Sequence, residues 1–157
     1  MNLQPFLIGE GWIEVLDGNP TARDLFKRHY SDRPRRGARS NELIIGPGFK
    51  LLLLAADGGA LCAWRKERHR ADCQTGVECA IFRRETGDLA SDMLKAAMQR
   101  AWQRWPQERL FTFVDPREVP PTMVRGHPVW GFCFYKAGWR FAGLTKKGLH
   151  ILEKVQA

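Results

Sequence analysis

His29 and Tyr30 stand side by side in "KRHYS", residues 27 to 31, where an imidazole and a phenol offer a base and an acid for proton transfer. A carboxylate of the right kind lies further on: Asp115 closes the apolar run "RLFTFVD", and strand ends open onto ligand sites in sheet folds. Imidazole and carboxylate together also suit Fe(II), so His29 and Asp115 form a candidate metal pair. Directly after "KRHYS" come Arg33, Arg35, Arg36 and Arg39, and a second basic cluster holds Arg65, Lys66, Arg68 and Arg70. Both clusters have the composition of a phosphate-contacting surface. Plainer readings exist for each group. A histidine on an apolar helix face is commonly a core or capping group, Tyr30 a packing residue and Ser31 a helix terminator. Asp before Pro is a frequent turn starter, and a charge run is usually a solvated face.

The 157 residues, 44% hydrophobic, are enough for one domain with a real core, and residues 1–157 read as a single unit. A formal charge of +8 favours a polyanionic partner and repels cationic ligands. Cys62, Cys73, Cys79 and Cys133 form no CxxC pair, three of them lie in or near apolar stretches, and buried free thiols are the better reading. "MNLQPFLIGEGW" lacks the basic start and long apolar run of a signal peptide, and no segment has the roughly 18 apolar residues of a membrane span, so a cytoplasmic location is expected.

The elements that must position these groups can be read in order. "DGNPTARDLFKRHYS" begins a helix, with Asn19 as cap, Pro20 in the first helical position, and Ala22, Leu25, Phe26 and His29 on one face. "NELIIG", "FKLLLLAA" and "LCAWR" read as successive strands, the last two joined by a hairpin at "DGG". "RKERHRADCQTG" carries too much charge for a strand interior and reads as a loop or a long hairpin tip before the strand "VECAIFR". A long helix follows over "ETGDLASDMLKAAMQRAWQRW", capped by Thr86, Asp88 or Ser91, with Leu94, Ala97, Ala101 and Trp105 on one face and Pro106 as its stop. After the strand "RLFTFVD", "PREVPPTMVRGHP" reads as irregular, "VWGFCFYKAG" as a short helix, and "WRFAGLT" with "LHILEKV" as a closing hairpin. Trp64 and Trp130 are candidate stacking surfaces, and His127 a further ligand, whereas His69 and His150 read as surface and strand residues.

This order of helix, meander, strand, turn, helix, strand, short helix and hairpin resembles the GNAT acyltransferases, and implies an α+β fold with a mixed, mostly antiparallel sheet and helices on both faces. Two stretches carry the likeness. "FRRETGDLAS", a strand turning into a helix, implies an acetyl-CoA site formed by Phe82, Arg83, Arg84, Thr86, Gly87, Asp88 and Ser91. Arg84 and Gly87 match the family's loop, and its final small residue, Ala90, comes one position late. "FYKAGWR" is similar to the element before the last hairpin, and makes Tyr135 the tyrosine that protonates the departing thiolate. "HYS", "TFVDP" and "GFCFYKAGWRFAGLTKKGLHILE", in that order, further resemble the Mom proteins of Mu-like phages, a divergent GNAT branch. The likeness spans residues 20 to 155. It implies a phage or prophage enzyme that places a carbamoylmethyl-type group on the exocyclic N6 of adenine in DNA and protects that DNA from restriction. Acetyl-CoA and Fe(II) would be its cofactors, and double-stranded DNA with a flipped or unpaired adenine its partner; a homodimer is left open. A GNAT acyltransferase for a small-molecule or protein amine is the second reading, and a non-catalytic nucleic-acid-binding domain the third.

The basic belt makes a first prediction. Replacing Arg33, Arg35 and Arg36 together by alanine should weaken DNA binding while keeping the fold. The slope of log affinity against log salt should fall by about 0.9 per lost phosphate contact on duplex DNA. An unchanged slope in a salt titration would move the contact surface elsewhere.

Overall fold

A computed structural model describes residues 11–28, 43–85 and 89–157. The strands are β1 (Trp12–Val15), β2 (Phe49–Ala55), β3 (Ala60–Lys66), β4 (Val77–Arg84), β5 (Leu110–Val114), β6 (Thr122–Val124), β7 (His127–Val129), β8 (Arg140–Leu144) and β9 (His150–Lys154). The helices are α1 (Pro20–Lys27), α2 (Ala90–Arg104) and α3 (Phe132–Lys136). Seven strands form one open sheet in the order β1-β2-β3-β4-β5-β9-β8, with β6 and β7 as a separate ribbon. Every neighbouring pair in the large sheet is antiparallel except β4 and β5. This is the mixed α+β arrangement expected, and among the described residues no helix is long and apolar enough to cross a membrane.

The unbroken run Leu51 to Leu54 in β2 shows why the strand signal lacks alternation: both faces of the sheet are covered. Leu51 and Leu53 pack with Cys62, Trp64 and the Leu94–Ala97–Ala101 face of α2. Leu52 and Leu54 pack with Leu61, Ala63, Ile81 and with Ala22 and Leu25 of α1. α1 begins as its sequence dictates: Asn19 accepts a hydrogen bond from Ala22 N at 3.1 Å, and Pro20 occupies the first helical position, where no amide hydrogen is needed. The β2–β3 turn closes with Gly58 at φ 76° and Asp57 accepting from Gly59 N at 2.8 Å.

Four expectations are corrected. The described part of "NELIIG" is not a strand. Asp17, at the turn between β1 and α1, accepts from Ile44 N (2.7 Å), Ile45 N (3.1 Å) and Lys50 Nζ (2.9 Å), so these amides serve a carboxylate instead of a sheet ladder. Ile45 is apolar because it packs over α1 and β2, not because it alternates. The long helix starts at Ala90 with Leu89 as its N-cap and no side-chain cap bond from it; Ser91, one of the three expected caps, lies buried inside the first turn, and Thr86 and Asp88 lie outside the described residues. The charged stretch from 65 is not all loop, since Arg65 and Lys66 end β3. "PREVPPTMVRGHP" contains a hairpin, β6–β7, whose two turn residues Arg125 and Gly126 are both left-handed (φ 51° and 81°), as a two-residue hairpin turn requires.

Asp17 makes the second prediction. Its side chain is 9% exposed and accepts from two backbone amides and from Lys50 Nζ. Asp17→Ala should cost about 2 kcal/mol, a fall in Tm of about 4–8 °C for a chain of this size. Thermal melting with Asp17→Asn, which keeps an acceptor oxygen, should recover part of it.

Candidate active site

The parallel pair β4–β5 meets at one end and parts at the other. The two strands are paired only at Val77–Leu110 and Glu78–Phe111. At the closed end, Val77 N donates to Arg109 O at 2.8 Å, and Gly76 lies so near that an added Cβ would stand 2.2 Å from the same oxygen. Only glycine fits there, and its φ of 108° excludes other residues as well. Beyond Glu78 the side chain of Thr112 spans the widening gap, donating to Cys79 O at 2.8 Å. A bulge sharpens the divergence: Trp64 pairs with Cys79 and Ala63 with Ile81, so Ala80 is an extra residue in β4. Val77 and Cys79 therefore face the α2 core, Ile81 faces the α1 core, and Phe82 returns to the first.

The opening is a cleft of about 160 Å³ lined by both strands, with Gly131, Cys133 and Phe134 of the α3 segment on its roof. β4 keeps its ladder to β3 through Arg84, but past Glu78 its opposite edge has no strand partner among the described residues. Such an edge can pair with an extended chain of amides. The roof sits low because Gly131, at φ 76°, starts α3 where a Cβ would press on Val114 and Leu152 at 3.1 and 3.2 Å. Burial and the neighbouring Cys79 push the Cys133 thiol up to about 11, so it stays protonated at neutral pH and is no nucleophile. Cys79 is raised further by burial, with Cys62 Sγ 4.0 Å away.

The sequence-derived site residues separate into three sets. Phe82 lines the cleft, and Arg83 and Arg84 stand at the end of β4 beside it. Asp115 follows Val114 at the end of β5 and is 8% exposed. It accepts from Arg117 N and Nε, both at 3.0 Å, and its carbonyl holds Glu118 N and Val119 N, so it starts a turn as an Asp before Pro should. Tyr135 is on α3 but faces a neighbouring aromatic cavity, not the cleft, and burial raises its phenol, which therefore keeps its proton. His29, Tyr30, Ser31, Arg33, Arg35, Arg36, Arg39, Thr86, Gly87 and Asp88 lie outside the described residues. The residues before the two segments do meet: Arg28 binds Glu85 through Nε and Nη2 at 2.6 and 2.9 Å, joining the end of α1 to the end of β4. That pair, with Arg83 adding at 3.0 Å, holds the Glu85 carboxyl below its ordinary range.

His29, one half of the candidate iron pair, lies outside the described residues. The Asp115 carboxylate is engaged by Arg117, and among the described residues no three His, Cys, Asp or Glu side chains come together to hold a metal ion. His127 is exposed on β7, away from any such group. Trp64 is not a stacking surface: it is fully buried and stacks on Trp139, ring centroids 6.4 Å apart.

The second basic cluster is largely neutralised in place. Arg70 is 6% exposed, paired with Asp72 and Glu78 at 2.7 and 2.8 Å, and lies over the Phe111 ring at 5.0 Å. Arg65 pairs with Glu78 and Glu67, and Lys66 with Glu108. Arg68 is exposed and makes no ion pair among the described residues. Sequence proximity signals the cations and their partners Glu67 and Asp72, but Glu78 comes from β4 and Glu108 from the turn before β5. Arg70→Ala should therefore destabilise the chain by about 2–3 kcal/mol, whereas Arg68→Ala should stay within about 0.5 kcal/mol of the parent. Asp72 is held below the ordinary carboxylate range by Arg70, so its share of stability is present above about pH 4 and lost as pH falls through its depressed value. Chemical denaturation at two pH values checks both. The chain matches no protein-family model, no curated protein and no solved structure.

Proposed function

We propose that the chain is a GNAT-type transferase which, in the manner of the Mom proteins, uses acetyl-CoA and modifies the exocyclic N6 amine of adenine in DNA with a carbamoylmethyl-type group. The observation that carries this reading is the splayed β4–β5 pair, with two paired residues at one end and a roofed cleft at the other. An extended pantetheine arm is a run of amides that suits the free edge of β4. Among the described residues no side chain caps the start of α2, and the Ala90 and Ser91 amides there suit a pyrophosphate, with Arg83 and Arg84 alongside. Acetyl-CoA, when bound, would supply the two-carbon unit; joining its methyl carbon to N6 and an amide nitrogen to its carbonyl carbon, with the thiolate as leaving group, also requires a two-electron oxidant and an ammonia-level nitrogen donor.

The chain's own groups have distinct tasks in this reading. The N6 lone pair of adenine is delocalised into the ring, so the amine needs a base, which is the task given to His29. Tyr135 keeps its phenolic proton but faces the neighbouring aromatic cavity rather than the cleft, so donation to the departing thiolate is not assigned to it. The arginines of residues 33 to 39 contact phosphates, and the base must leave the stack or come from an unpaired strand. The order of "HYS", "TFVDP" and the C-terminal motif supports DNA as the acceptor over a small-molecule or protein amine, which the same cleft would serve equally well.

Mass spectrometry of nucleosides from cells producing the protein should find a deoxyadenosine heavier by the added group. His29→Ala should lower the modified fraction by about 100-fold or more. Asp115→Asn, which keeps an acceptor for the Arg117 amide, should lower it too, with acetyl-CoA affinity within a few-fold of the parent in both. Unmodified DNA together with acetylation of added amines would establish the second reading instead.

A further inference from the structure

A second cavity, of about 480 Å³, lies along α3 from the cleft, with Trp130, Phe132, Tyr135, Phe141 and His150 around it and the β6–β7 ribbon along one side. Its volume falls within the roughly 300–1,000 Å³ of small-ligand pockets. The rings are set against one another: Trp130 and Phe141 each meet the His150 ring edge-on, centroids 5.5 and 5.4 Å away. Phe141 nevertheless remains 49% exposed. It is held there by a bulge in β8, where Phe141 pairs with Leu152 and Gly143 with Ile151, leaving Ala142 as an extra residue. An edge strand that keeps a phenylalanine face open to water beside two other rings forgoes burial the rings would otherwise gain. Trp130 Nε1, moreover, is buried without a hydrogen-bond partner among the described residues.

Charge decides what fits. Aromatic boxes of this kind also take quaternary ammonium groups, but those sites draw on the attraction of a cation to ring faces with no competing cation present. Here no carboxylate lines the cavity, and Lys136 Nζ already lies 5.7 Å over the Phe132 ring. Arg125 stands exposed in the turn of the ribbon above. A cationic ligand would be repelled. A neutral flat ring tethered to phosphates meets ring faces inside and cations at the rim, which is the combination that single-stranded nucleic acid uses.

We propose that this cavity receives an unstacked base of a nucleic-acid strand, stacked on Phe141 and packed against Trp130 and His150, with Lys136 and Arg125 on the flanking phosphates. The proposal rests on the DNA reading above and adds where on the surface the strand runs: along α3, beside the donor cleft roofed by Cys133 and Phe134 of the same helix.

The test uses the full chain and a short single-stranded oligonucleotide carrying one 5-iododeoxyuridine, which crosslinks to aromatic side chains under long-wavelength light. Crosslinks should map to Trp130 or Phe141. Phe141→Ala should weaken binding by about ten-fold, Phe141→Trp should restore it, and both should melt as the parent does because the ring is half exposed. The parent should bind an oligonucleotide with an abasic residue at that place as weakly as Phe141→Ala binds the intact one. Salt-dependent binding with crosslinks elsewhere and an unaffected Phe141→Ala would overturn the cavity while leaving the DNA reading in place. No binding to any oligonucleotide at low salt would remove both.

Discussion

Arg109 is the pivot of this fold. Its carbonyl takes Val77 N, its Nη1 donates to Thr75 O at 2.9 Å, and its Nε binds Glu153 of β9 at 2.8 Å. Its guanidinium also lies 4.9 Å from the centre of the Phe111 ring. One residue thus fastens the strand before it, the strand after it and the strand across from it, at the single place where the parallel neighbours touch. Because parallel strands need long crossovers and pair slightly less well than antiparallel ones, a two-residue contact would not hold them without such a fastening. Everything beyond the fastening is free to diverge, and the cleft is the space so released.

The rest of the core makes that divergence tolerable. α2 and α3 cover one face, and Trp139 stands between them, its Nε1 on Met98 Sδ at 3.1 Å and its ring against Phe134 and Trp64. These large buried rings fill the space behind the open strands, so the gap does not become a void through the core. Glu153, shared by Arg109 and Arg140, extends the same network to the edge strand β8 and is held below its ordinary range by the two cations.

What the sequence makes legible is whatever depends on neighbours in the chain. Asn19–Pro20, the "DGG" hairpin, Pro106 after α2 and the apolar run Leu51 to Leu54 of β2 each follow from local rules, and each element forms where those rules put it. Features that depend on register or on distant partners do not show. Nothing in "VECAIFRR" marks Ala80 as an extra residue, because an alanine fits either count and the shift is decided by β3. Arg70 looks like a surface cation until Glu78 and Asp72 arrive on both sides of it. Of the candidate site, the end of β4, Asp115 and α3 were readable as positions, yet Thr112, Cys79 and Cys133 were not readable as its lining, since a buried threonine or thiol carries no pattern of its own. Phe141 and His150 fall in a closing hairpin whose alternation is broken by the bulge, so their meeting around a cavity leaves no periodic trace.

The five residues of α3 border both cavities, Cys133 and Phe134 on one, Phe132 and Tyr135 on the other. Gly131 fixes only the start of this helix against the sheet, and the turn at Ala137 and Gly138 returns the chain at once to Trp139. A partition this short is set by its two ends, so a substitution at Gly131 or at the Ala137–Gly138 turn alters the walls of both cavities at once.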